Sequence, residues 1–162
     1  MNTKIKITIQ FILSHIAAYL IVSIPFFQFV MKQFYEGETA VFPEFLITEK
    51  SGEVWTHAMQ LLVPALLLQA FLISIFLWLI WDFFKTQTYA RQVLILVWMR
   101  VVLGGFAAIS PAVGALEGLV FMIPQVTLKI HSLVLLEIFL QAVVSSVIFL
   151  GFVRWKKNQI NP

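Results

Sequence analysis

The sequence contains no cysteine. Disulfides, thiolate nucleophiles, cysteine-ligated zinc, iron–sulfur clusters and covalently attached haem are therefore excluded, although the absence is silent about compartment. Charge is scarce as well. Only 12% of residues are charged against 60% hydrophobic, and the mean hydropathy is +0.93, more apolar than a water-soluble domain can cover. The chain belongs in lipid. With most of its 162 residues assigned to apolar runs, no length is left for a separate soluble catalytic domain. Also missing are a glycine-rich phosphate loop, an HExxH pair, a Gly-x-Ser-x-Gly elbow and paired aspartates. No internal repeat is visible, so the inverted halves of many transporters are not legible here.

What is present is a set of long uncharged windows. A bilayer core needs about 20 apolar residues in helical form, and four such windows occur: 7–30, 58–81, 89–109 and 132–153. Nothing resembles the long series of alternating ten-residue strands that a barrel requires. The first window follows Lys4 and Lys6, as a secretory signal would, but uncharged residues continue from Ile7 to Met31 and no cleavage site is apparent. A retained first span is expected.

The net charge of +3 and pI near 9.3 do not point to nucleic acid, because the basic residues sit at the ends of apolar runs rather than in a patch. One set of flanks carries Lys4, Lys6, Lys85, Arg91, Arg154, Lys156 and Lys157; the other carries Lys32, Lys50 and Lys129. Seven against three predicts both termini on the cytoplasmic side. Trp55, Trp81 and Trp155 fall near the predicted boundaries, where aromatic rings favour the headgroup layer.

Two segments lie outside the spans. The loop 31–57 reads either as a small hairpin lid, with Ala40 to Thr48 extended, a turn at Lys50-Ser51-Gly52 and Glu53-Val54-Trp55 pairing back, or as an irregular loop resting on the headgroups. Its glutamates lack the spacing and glycine of a calcium loop. Pro111 and Pro124 bracket the second segment, 112–123, apolar except for Glu117 and too short to cross, so it predicts an interfacial or re-entrant helix.

Arg100 most demands explanation. At 1.5 Å per residue from Tyr89 it sits about 16 Å into a core about 30 Å thick, where an arginine costs on the order of 2.5–3.5 kcal/mol on insertion scales. Counting along the other spans places Gln69 and Gln141 at similar depth, with Glu137 a turn closer to the outer face, within reach of the long Arg100 side chain, and His15 somewhat closer to the cytoplasmic face. Glu137, Gln141 and Ser145 recur every fourth residue and share a helix face. The sequence thus predicts an intramembrane polar cluster of Arg100, Glu137, Gln69, Gln141 and His15, with Arg100 paired either to Glu137 or to a counter-charge on another subunit. A second candidate group, Glu117, His57 and His131, lies toward the outer face. Two histidines there would be enough for a metal or haem only if their rings met, and their spacing does not require it. Pairs of small residues four apart, Ser14/Ala18, Gly104/Ala108 and Ala142/Ser146, mark faces where helices pack closely.

These features predict an all-α integral membrane protein, a four-transmembrane-helix bundle with a short interfacial or re-entrant segment before the last helix, forming one membrane domain over residues 1–162. The leading expectation is a non-catalytic subunit of the bacterial cytoplasmic membrane that assembles with other envelope membrane proteins or with itself. A small transporter or channel using the midplane cluster is the alternative, followed by a membrane-embedded enzyme on lipid substrates. The bilayer is the expected partner; no nucleic acid, metal or cofactor is expected.

Overall fold

The computed structural model describes residues 3–106 and 112–160. Its described residues contain helices and turns and no strand. In chain order, α1 runs Thr3–Tyr35, α2 Glu53–Leu79, α3 Trp81–Thr86, α4 Tyr89–Val101, α5 Gly118–Phe121 and α6 Leu128–Ile160. Among these residues three helices, α1, α2 and α6 (Leu128–Arg154), are long and apolar enough to cross a membrane. The expected third window begins as α4 and continues through a π turn at Val102–Phe106; positions 107–109 lie outside the described residues.

α1 is continuous but irregular. π turns at Tyr19–Ser23 and Phe27–Met31 flank a short α stretch that holds Pro25. Proline has no amide N–H, and its ring collides with the carbonyl four residues back, here that of Ile21; a wider turn absorbs the misfit. α2 carries its own proline, Pro64, and ends at Ile80, whose backbone (φ −104°, ψ 7°) leaves the helical region. The polar turn beyond is held by an Asp82–Lys85 ion pair at 2.6 Å, and the Lys85 ammonium keeps the exposed Asp82 carboxyl below the usual carboxylate range.

α1 packs against both α2 and α6, and α6 against α4, whereas α2 and α4 make few close backbone contacts and meet through side chains of the core nearer the termini. The helices therefore follow the order α2–α1–α6–α4, with both chain ends at one end of the molecule. Two apolar cores result. The one nearer the termini gathers Ile7, Phe11, Leu77, Leu96 and Phe149; the one nearer the long loop gathers Met31, Phe34, Phe42, Val126 and Ile130. Ser14, Ala18, Ala142 and Ser146 are all buried, consistent with their role as close-packing residues, while Ala108 lies outside the described residues.

At the loop end the structure decides between the two readings of 31–57 and corrects the expected helix over 112–123. No hairpin forms: Phe42–Glu44 and Glu49–Ser51 are single 3-10 turns, and Glu53-Val54-Trp55 is the first turn of α2 rather than a strand. A Thr48–Ser51 capping box and aromatic packing replace sheet pairing. Phe42 is buried with its ring centroid 4.4 Å from that of Tyr35, and the Val41 amide donates to the Phe34 carbonyl at 2.9 Å. The segment 112–123 is likewise no twelve-residue helix. Gly114 at φ +91° breaks it into turns, and only Gly118–Phe121 is helical.

Candidate functional site

The register of the helices can be read from their cross-links. Between α1 and α6, the Phe11 and Phe149 rings meet at 5.5 Å and Gln141 donates to Ser23 Oγ at 2.6 Å. Moving along this antiparallel pair from the first contact to the second brings His15 opposite Ser145 and Ser146. Between α4 and α6, Arg154 donates to Gln92 Oε1 at 3.1 Å, and Gly105 approaches Ile138. Arg100 falls between these points, beside Ser145. Between α1 and α2, Thr8 meets Ser74 at 3.2 Å and Trp78 at 3.1 Å, which sets Gln69 beside His15.

One level of the molecule thus holds His15, Gln69, Arg100 and Ser145, one from each long helix. His15 is 1% exposed, Arg100 6% and Ser145 1%. Gln69, by contrast, is exposed on α2. Gln69 and the Arg100 charge are the polar neighbours of His15, yet neither ring nitrogen makes a hydrogen bond of good geometry. Arg100 Nη1 and Ser145 Oγ have no partner either. Among the described residues, every buried side-chain nitrogen or oxygen without a hydrogen bond belongs to these three side chains. Buried polar atoms are nearly always paired, so four orphans at one level make this layer the candidate site.

The remaining members of the expected cluster form a separate layer. The Gln141 side-chain amide donates to both Ser23 Oγ and Glu137 Oε1, the latter at 3.1 Å. Tyr19 and Tyr35 are within electrostatic reach of the Glu137 carboxylate. Glu137 lies about 12 Å farther along α6 than Ser145, at 1.5 Å per residue. The expected Arg100–Glu137 ion pair is therefore not formed. The ion pairs among the described residues are Lys32–Glu36 at 3.7 Å and Lys85–Asp82. Sequence reasoning missed Tyr19 and Ser23, although His15, Tyr19 and Ser23 recur every fourth residue on α1 and mirror Glu137, Gln141 and Ser145 on α6.

No hydrogen bond or ion pair joins Glu117, His57 and His131 to one another, although the His131 ring lies against Gly118, next to Glu117. His131 is buried, and its Nδ1 accepts the Gly114 amide at 3.0 Å, so its ring anchors the 112–118 turns onto α6. His57 is exposed on α2, and Glu117 is an exposed side chain at the start of α5. Among the described residues no group of three His, Asp or Glu side chains is placed to hold a metal ion. A cleft of about 220 Å³ at the loop end, lined by Phe27, Tyr35, Glu36, Thr48, Lys50 and Trp55, is remote from the orphaned layer.

The orphaned layer is rich in donors and poor in negative charge. A guanidinium, an amide, a hydroxyl and a histidine ring converge with no carboxylate among them, an arrangement suited to an anionic group. Comparison with protein-family models, curated proteins and solved structures finds no match, so the chemistry of the site rests on its own geometry.

Proposed function

We propose that this chain is a non-catalytic membrane subunit that assembles with other membrane proteins. In this reading it crosses a bacterial cytoplasmic membrane four times, with the helix that begins at Tyr89 as the third crossing over 89–109. Both termini then face the cytoplasm, in keeping with the excess of lysine and arginine on their side. The observation that carries the reading is Arg100, buried at the mid-height of its bundle with no counter-charge among the described residues. An arginine in the hydrocarbon region requires a partner, and one that the chain does not supply is expected from outside it.

The test is native mass spectrometry of the protein extracted in a mild detergent from its own cells. A foreign membrane subunit at fixed stoichiometry is expected, together with its loss in Arg100→Gln while that variant still accumulates and stays folded. A lone chain that carries a solute or ions across liposomes in an Arg100-dependent manner would overturn assembly. It would favour the second reading, a small transporter or channel, which the two stacked polar layers support.

A further inference from the structure

We infer that the orphaned layer is a receptor for one carboxylate, an aspartate or glutamate side chain presented by a spanning helix of the partner protein, docked beside α2 at the level of Gln69. The inference rests on the assembly reading above and adds the chemistry and place of the contact.

Charge comes first. Arg100 is the only charged member of the layer, and the other three side chains offer hydrogen-bond donors without adding negative charge. The chain's own intramembrane carboxylate, Glu137, is held by Gln141 two turns away. An incoming carboxylate accepts from the guanidinium and from the Gln69 amide, and gives Arg100 the counter-charge that its own chain leaves it without.

Depth decides between sources of that negative charge. Lipid phosphates lie at the faces of a core about 30 Å thick, about 15 Å from the level of Arg100. An arginine side chain does not span that distance. A neighbouring helix places a carboxylate at any depth, and inside lipid its own acid requires the same compensation, which makes the pair mutual.

The route is set by packing. α2 and α4 share the core nearer the termini through Leu77, Leu96 and Met99 but make few close backbone contacts. Gln69 is the one exposed member of the layer. None of the 17 residues from Glu53 to Gln69 is buried; the buried positions of α2, Ala70, Ile73, Ser74 and Leu77, all lie toward its other end. That half of α2, with Gln69 at its inner end, is thus free to take a second helix.

The experiment uses the full chain in membranes of its own cells, with the photoreactive residue benzoylphenylalanine in place of Gln69. On irradiation the expected adduct joins one other membrane protein, at a peptide in a spanning helix with an aspartate or glutamate within one turn. Arg100→Gln should cut the yield by about tenfold or more, while Arg100→Lys, which keeps the charge and guards against misfolding, retains most of it. Neutralising the partner's acid should reproduce the loss, and exchanging the two charges between the proteins should restore the adduct. Adducts only with lipid, only with a second copy of this chain, with a partner helix that has no acid, or no adduct at all, each overturn the inference. If a stoichiometric foreign subunit still appears in native mass spectrometry, only this contact falls; if none appears, the assembly reading falls with it.

Discussion

Gln141 on α6 donates its side-chain amide to Ser23 on α1 across 2.6 Å, joining positions 118 residues apart, and the same nitrogen also serves Glu137. The bond fixes the axial offset of the two helices. It also draws the carboxylate into a layer about 12 Å from Ser145, leaving Arg100 without its nearest acid.

Arg100→Leu should therefore stabilise the isolated chain while abolishing its complex. Removing an uncompensated charge recovers up to about 2.5–3.5 kcal/mol on insertion scales, so the purified variant alone should melt higher than the wild type in the same detergent. A lower melting temperature for the isolated variant would mean that Arg100 already has a partner within the chain.

His131→Ala leaves the Gly114 amide buried without its acceptor. A loss of about 1–3 kcal/mol is expected for such a group, read as faster hydrogen exchange over 112–123 with little change in α1 or α2. Gly114→Ala should loosen the same segment, because φ +91° is costly for a residue with a side chain and the new methyl would lie 3.2 Å from Val134 Cγ1. Unchanged exchange in both variants would rule out the anchoring role.

Thr8 is shared by Ser74 and Trp78 at 3.2 and 3.1 Å, and this polar contact joins α1 to α2 near the termini. A cycle of Thr8→Val and Ser74→Ala should show a coupling of about 0.6 kcal/mol, typical of hydrogen bonds between spanning helices. Zero coupling would leave the Trp78–Thr8 hydrogen bond and apolar packing as the links there.

The lack of native cysteine makes topology directly readable. Single substitutions Lys50→Cys and Gln125→Cys, both at the loop end, should react with an impermeant thiol reagent in intact cells. Lys85→Cys and Arg91→Cys should react only after permeabilisation. Labelling of positions 91 and 125 from the same side would show that 89–109 does not cross.

Much of this architecture is legible in the sequence, for a simple reason. Lipid tolerates few charges, so uncharged windows mark the helices: 7–30 and 132–153 fall inside α1 and α6, and 58–81 overlaps α2 to within two residues at its far end. Small residues at 14, 18, 142 and 146 marked buried positions because they allow backbones to approach. Local turn chemistry was less reliable. The Glu53-Val54-Trp55 run has strand-like residues, yet it joins a helix already committed by the apolar residues that follow, and Gly114 halts the helix that 112–123 otherwise suggests.

The sequence by itself determined which residues are polar within the apolar runs and which share a helix face. It did not determine which of them meet. Helical periodicity sets a residue's angle on its own helix, but the sliding of one helix along another is set by the sum of many contacts, Phe11 on Phe149 and Ser23 on Gln141 among them. A shift of two turns separates Glu137 from Arg100 and gathers His15, Gln69, Arg100 and Ser145 in its place. Because apolar side chains are as well solvated by lipid as by one another, hydrophobic patterning carries no information about that offset, and only the packed tertiary structure decides it.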